Sequence, residues 1–558
     1  MFKKEVLEGY EGMEDRWKET CEKSYGDKRV QRTSFSGIPV KEVYSPSDVE
    51  GTEYKDIGMP GEFPYTRGTY PMDYQIYPWA MQFGFGYGLP EHTRERYIVM
   101  RDAGMTGPVG RDTAYFVVLD HPSQHGFDPD DPLSRGRVGY CGCSVSTMRD
   151  YEILFDGIPI EKINVIFPCW EASWPGLAMH FVYCERRGIP QEKLMGLTLA
   201  LYYHQVYADN AAFTPKNVLK LAVEQVKYCS KYVPKWNNFS FNGYNVEEAG
   251  ANAIQEIAFN FSAMITLVEE CMKVGLNPDD FLHRFGFYFG LGNDMFENVA
   301  KIRAARRMWA KITKDRFGCK NPRSQKLVVT CQNAGSQFTA QQPYNNIVRA
   351  TLQTLSGILA GSRTMWTTPY DESFSLPTEE AATIAVRTNQ IILHESRVPN
   401  VSDPLAGSYY VEWLTNEMEK RIWDLLDKIE AMGWVKGVET GWFRGEIEKE
   451  AYSWRKKIDS GEEIQVGVNK YEGEEHGISV FEVPDVEDTA IERIEEFRKK
   501  RDNGKVEKAL DNLRDVSVKV EKGEGDLMPA LIEAARADAT NGEMGSVLRE
   551  VFGYGYTY

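Results

Sequence analysis

The stretch "FSFNGYNVEEAGAN", residues 239–252, decides how the chain folds. Its first four residues alternate aromatic and polar side chains, as a strand does, and Gly243 ends the run. An apolar helical pattern follows, with Asn245 at the junction and Glu248 three residues on. The spacing predicts a helix start in which the Asn245 oxygen caps a backbone N–H and Glu248 reaches back. In a barrel, a polar side chain at such a junction stands where catalysis is done.

The same rhythm runs outward on both sides. β-rich runs occur at "AYFVVLD" (114–120), "INVIFPCW" (163–170), "MGLTLAL" (195–201), "FGFYFG" (285–290), "KLVVTCQN" (326–333) and "RTMWTT" (363–368). With 239–244 they make seven predicted strands, and an eighth is placed near "NVSDPLAGS" (400–408). Amphipathic segments such as 216–232, 345–361 and 379–396 lie between them. Strands alternating with helices over this length predict an α/β fold, a (β/α)8 TIM barrel. Residues 1–64 read as an extended polar arm that must lie on something. Residues 65–411 read as the substrate-binding barrel, and 412–558, helical and charged, as a C-terminal extension.

A formal net charge of -17 argues against a nucleic-acid surface, which needs a basic face. No apolar run reaches the roughly 20 residues of a membrane span. The start "MFKKEVLEGYEGMEDRW" lacks the apolar core of a signal peptide, and the nine Cys are scattered as in reduced cytoplasmic proteins. Cys141-Gly-Cys143 has no further ligands nearby, so no metal site is expected. "GFGYG" (84–88) lacks the strand–turn–helix context of a dinucleotide fingerprint. "KIRAARR" (301–307) reads as a solvated basic face, or as one that meets phosphate. At predicted strand ends stand Asp120, Trp170, Gln332, Asn333 and the pair Asp371-Glu372, a candidate acid/base pair. Aromatics crowd the same zones, including Trp170, Tyr202, Tyr203 and Trp366, and suggest a water-poor interior.

Several blocks, in order, resemble the large catalytic subunit of the methylmalonyl-CoA mutase family. They include "YTRGTYP" (65–71), "GFDPDDP" (126–132), "LFDGIPIEKINV" (154–165), "PKWNNFSFNGYNVEEAGA" (234–251), "KIRAARRMWAK" (301–311), "YNNIVR" (344–349), "DESFSLPT" (371–378) and "DPLAGSYYVE" (403–412). The resemblance implies a barrel that takes an acyl-CoA along its axis and shares adenosylcobalamin with a cobalamin-binding domain. The D-x-H-x-x-G cobalt-ligand motif of that domain is not found. The expected partner is therefore a separate small cobalamin-binding subunit, in an α2β2 heterotetramer, with a GTPase reactivating chaperone as a further partner.

Carried over residue by residue, Glu372, Gln332, Gly335 and Gln124 are expected to face the cofactor. Tyr70, Asp73, Tyr77, Gln82, Phe116, Leu119, Leu199, Asn237, Arg284, Arg323 and Arg363 are expected to line the substrate path. The reacting end departs from the family pattern. Asn245, beside Tyr244, replaces the His of G-Y-H, so a neutral amide stands where an imidazolium would. Gly84 replaces a bulky wedge, which predicts freed space on the order of 100 Å³. Asp209 falls where the family Arg grips a free carboxylate. Catalytic weight is thus expected at Asn245, Gly84, Asp209 and Tyr244. The expected substrate is an unusual, bulky or aromatic acyl-CoA of the arylsuccinyl or arylmalonyl type. Another branched or hydroxylated acyl-CoA, a substrate without CoA, and a non-catalytic partner subunit are the alternatives.

Overall fold

The computed structural model describes residues 4–26, 31–108, 112–168, 173–200, 207, 213–473 and 477–553. Strands and helices alternate. Strand β1 is in two pieces, Ala80–Met81 and Gly84–Phe85, and leads to α2 (Pro90–Asp102). Then come β2 (Ala114–Val117) with α3 (Met148–Leu154), β3 (Asn164–Pro168) with α4 (Ser173–Arg186), and β4 (Gly196–Ala200) with α5 (Pro215–Tyr232). They are followed by β5 (Asn237–Asn242) with α6 (Ala253–Lys273) and β6 (Phe285–Leu291) with α7 (Met295–Lys311). The series ends with β7 (Val329–Asn333), α8 (Asn345–Leu359), β8 (Thr364–Trp366) and α9 (Glu379–His394). Local chemistry marks the helix starts. Asn252 and Gln255 form a capping box, and Asp294 and Thr378 cap α7 and α9.

All eight strands pair in parallel, and the sheet closes through β1. Its first piece pairs with β8 (Ala80 with Thr364, Met81 with Met365), and its second pairs with β2 (Gly84 with Phe116, Phe85 with Val117). The Gln82 N–H donates to the Met365 carbonyl at 2.9 Å, and the Val118 N–H to the Phe85 carbonyl at 2.7 Å. The expected barrel is present, but its eighth strand is not at 400–408. That segment is a short 3-10 turn (Val398–Asn400) and bends that lead into α10 (Tyr409–Met432). The strand that closes the barrel is "AMQFGF", broken at Gln82-Phe83. It also gives "GFGYG" a strand before it and a helix after it, contrary to the sequence reading.

The N-terminal arm differs too: it opens with helix α1 (Lys4–Tyr25). Farther along, its backbone is hydrogen-bonded to the barrel. The Phe35 and Ser36 N–H groups donate to Asp294 and Glu297 at the start of α7. The Phe35 ring packs edge-on against Trp454 of α11 (Trp442–Ser460).

"KIRAARR" is neither a solvated face nor a phosphate clamp. Lys301, Arg303, Arg306 and Arg307 are buried inside α7 and spent internally. Lys301 pairs with Glu256 at 2.6 Å and Glu247 at 3.1 Å, and donates to the Gly290 carbonyl. Arg303 pairs with Asp403 and Glu412, and Arg307 with Glu419, which fastens α10 to the barrel. Arg306 donates to the carbonyls of Tyr65, Thr66 and Ala360, which ties the segment just after the arm to the end of α8. Removing one member of such a buried pair strands its partner, at about 3–5 kcal/mol. Among the described residues, no helix is long and apolar enough to cross a membrane.

Candidate functional site

At the amino ends of the strands, four cations converge. Arg284 precedes β6, Arg323 and Lys326 precede β7, and Arg363 precedes β8. Arg363 is spent in part: it donates to Asp73 at 2.7 Å and to the Tyr77 carbonyl at 3.2 Å. Burial raises the Asp73 carboxyl despite Arg363. The Tyr70 ring lies between the Arg363 guanidinium, at 5.1 Å, and the Lys326 ammonium, at 5.2 Å. Arg284, Arg323 and Lys326 pair with no carboxylate among the described residues. Burial, and then the neighbouring Arg323 charge, lower both Arg284 and Lys326. The Arg284 Nε is buried without a hydrogen-bond partner. Cations crowded together without acids form a site for an anion. Asn237, at the start of β5, stands at the same end, half-buried.

Along the axis, the inward positions Gly84, Val118, Leu197, Gly286, Thr330 and Thr364 keep partial exposure, although both chain neighbours of each are buried. This period of two marks a channel through the barrel. Phe116, Leu199, Tyr288 and Trp366 form an apolar cluster in it, separate from the main core. Leu119 does not join them: it belongs to the core outside the barrel. Gln82 is buried at the break in β1.

The freed space expected at Gly84 is filled. A Cβ built there would lie 2.2 Å from Trp366 Cη2 and 2.7 Å from Cζ2. The indole reaches from β8 across to β1 and meets Phe116 edge-on, ring centres 5.1 Å apart. The missing side chain is therefore compensated by a large one from another strand, and the geometric ground for a bulky acyl group is gone.

At the carboxyl ends, the opening junction carries a different cap. The Asn242 side chain accepts from the Asn245 N–H at 3.1 Å, so Asn242, not Asn245, caps the turn Tyr244–Glu248. Glu248 does not reach back. It accepts from the Ser336 N–H at 3.0 Å and from its hydroxyl at 2.9 Å. The Tyr244 and Tyr288 rings meet edge-on at 5.9 Å, and the Tyr288 hydroxyl donates to Gln332. Gly335 sits between two carboxylates. A Cβ there would lie 3.1 Å from Glu372 Cγ and 3.4 Å from Glu248 Oε2. Burial pushes Glu248 up to about 8 against the pull of Ser336. Glu372 is reached by water from the rim, yet the protein packed around it and the Asp371 charge push it up to about 7. Burial first, then the Glu248 and Glu372 charges, raise the Tyr244 phenol. Asp371 is no partner of Glu372 in acid/base work, because it holds the Thr378 N–H and hydroxyl. Asp120 likewise caps Ser123 and holds the Gly139 N–H. Gln124 is buried beside it and donates to the Leu119 carbonyl. Asp209, Trp170, Tyr202 and Tyr203 lie outside the described residues.

The chain thus offers a cationic mouth, an axial channel and a carboxylate-rimmed face in one barrel. The family model described as methylmalonyl-CoA mutase matches residues 33–554. The chain belongs to the methylmalonyl-CoA mutase family. It is 38% identical over 533 residues to the 2-hydroxyisobutanoyl-CoA mutase large subunit of Aquincola tertiaricarbonis, covering 94% of this chain and 93% of that protein. It is 36% identical to the methylmalonyl-CoA mutase of Rhizobium meliloti, covering 93% of this chain and 72% of that protein. The human mitochondrial methylmalonyl-CoA mutase is 35% identical, with 93% and 68% covered. Members of this family are isomerases that use adenosylcobalamin.

Three residues join the site that the sequence did not assign to it, Tyr288 among them. Lys326 was hidden in the strand run "KLVVTCQN", although its place three residues after Arg323 was a readable signal. Glu248 was read as part of a capping box, because the box spacing and a site carboxylate look alike in sequence.

Proposed function

We propose that this chain is the catalytic subunit of an adenosylcobalamin-dependent acyl-CoA mutase whose substrate enters the barrel from the amino face. The observation that carries the reading is the uncompensated trio Arg284, Arg323 and Lys326 at one end of a lined channel. In a chain of net charge -17, three unpaired cations at a barrel mouth suit the phosphates of a CoA thioester. The same trio weighs against a substrate without CoA.

The carboxyl face fits the cofactor. Glu248 and Glu372 flank a glycine at which a Cβ would fit only tightly, and the Glu372 carboxyl group makes no hydrogen bond among the described residues. Two such carboxyl groups suit the hydroxyls of the cofactor's adenosyl ribose, and Gln332 is held in place by Tyr288. Bound at this face, adenosylcobalamin would supply the radical chemistry for hydrogen-atom transfer with the acyl group. The chain's own residues position and shield. The Asn245 amide donates to the thioester carbonyl without giving up a proton. Tyr244, Tyr288 and Phe116 keep water from the reacting carbon. The cobalamin is carried by a separate small subunit. This is supported by the coverage of 93% of a relative named a large subunit. In the sequence, Asp209 stands where a carboxylate-gripping Arg would be expected, which argues against a second carboxylate on the acyl group.

Calorimetric titration of the full chain with CoA tests the reading. Arg284→Ala and Arg323→Ala should each weaken binding by about ten- to 150-fold, the worth of a hydrogen bond to a charged group. The wild-type affinity should fall with salt. Binding that is blind to both substitutions removes the amino-face reading.

A further inference from the structure

Trp366 is the largest side chain in the channel, and nothing in the function above uses it. It ends β8, three residues after Arg363, and so lies about 10 Å along the strand from the cationic mouth. Its register partner on β7 is Gln332, which belongs to the cofactor end. Its indole crosses to Gly84, whose register partner is Phe116 on β2. Strands β8, β1 and β2 are thus bridged by one ring, held edge-on at 5.1 Å by Phe116 and flanked at 6.0 Å by Phe83. The ring stays partly exposed while Met365 and Thr367 on either side are buried, so its free surface faces the channel.

We infer that Trp366 sets the upper size of the acyl group and makes this a mutase for compact acyl-CoA thioesters. The inference rests on the acyl-CoA reading given above. Gly84 and Trp366 act as a pair. The glycine exists because the indole occupies its side-chain space, and the indole narrows the section that the acyl group must reach. An acyl group of isobutanoyl size makes the smaller demand on that section. An aromatic acyl group would need the volume that the ring already holds. In a hydrophobic pocket a single extra methylene is discriminated by about 10–200-fold, so a whole phenyl ring is rejected at least that strongly.

The experiment titrates the full-length chain with isobutanoyl-CoA and with phenylacetyl-CoA, in wild type, Trp366→Ala and Trp366→Leu. Wild type should bind isobutanoyl-CoA at least about tenfold more tightly. Trp366→Ala should shift the ratio of phenylacetyl-CoA to isobutanoyl-CoA affinity about tenfold or more toward phenylacetyl-CoA, with Trp366→Leu in between. A merely structural role for Trp366 would move both thioesters by the same factor, and that outcome overturns the inference while leaving the acyl-CoA reading standing. Equal binding of both by wild type does the same. If wild type binds neither, the acyl-CoA reading falls and the inference with it. Should Trp366→Ala melt too low to titrate, the ratio measured in Trp366→Leu decides.

Discussion

Replacing Gly84 with alanine puts a methyl group in place of one hydrogen, in the worst available position. The new Cβ would lie 2.2 Å from Trp366 Cη2, 2.7 Å from Cζ2 and 3.1 Å from Cζ3. Ordinary carbon contacts settle near 3.5–4.0 Å, so the indole must withdraw by more than about 1 Å. It cannot do so freely, because Phe116 and Phe83 hold its edges. Gly84 is not in the left-handed region, so the backbone itself accepts alanine, and in a strand alanine should even gain about 0.5–1 kcal/mol. Overpacking costs about 1–3 kcal/mol. The expected result is a net loss of up to about 2.5 kcal/mol, a difference of two opposing effects. Urea denaturation followed by circular dichroism reads it. The decisive arm is Gly84→Ala in a Trp366→Leu background, where the clash is gone and alanine should cost nothing or stabilise. A loss of the same size in both backgrounds, or no loss in either, would refute the compensating-pair argument, since residues in contact must couple.

Lys301→Met should destabilise by about 3–5 kcal/mol, because Glu256 is left buried beside Glu247 with no cation. Adding Glu256→Leu should recover part of that in the same denaturation assay. Stability should fall as pH rises from about 4 through 6: burial holds Asp120 and Asp128 up to about 6 from an ordinary 3.8, so the folded chain binds protons there that the unfolded chain has released. Burial acts in the same direction on Glu256 and Glu297 at higher pH. A denaturation midpoint that rises from pH 5 to pH 8 would contradict this. Ser336→Ala removes the one hydroxyl hydrogen bond to Glu248 and leaves the N–H bond in place. The Glu248 carboxyl, followed by infrared or NMR titration, should therefore rise further from about 8.

Seven of the eight strands were legible in the sequence because β-branched and aromatic runs of six to eight residues, bounded by turn residues, carry a strong period-two signal. The strand that closes the barrel was not. "AMQFGF" is short, broken in the middle and followed by glycines, and its strand character comes from pairing with β8 and β2, which no local pattern reveals. The segment 400–408 had a place in the rhythm but no pairing partner. The cations of "KIRAARR" looked like a surface because their acidic partners, at 247, 256, 403, 412 and 419, are remote in sequence. Gly84 shows the same limit more sharply. A large-to-small change suggests a cavity only if no neighbour grows to meet it. Trp366 was visible in the sequence, but its contact with Gly84 required the closed barrel.

On the proposed function, a CoA thioester enters this barrel and meets radical chemistry supplied by cobalamin at the opposite face. Electron paramagnetic resonance tests it most directly. The full chain would be mixed with adenosylcobalamin, a small cobalamin-binding subunit and 2-hydroxyisobutanoyl-CoA, and frozen during turnover. The account predicts a cob(II)alamin-coupled radical signal that needs the thioester and is strongly reduced at matched concentrations in Arg284→Ala. A complex that binds cobalamin yet gives no radical with this or any other compact acyl-CoA, or gives the same signal in Arg284→Ala at limiting thioester, would contradict it.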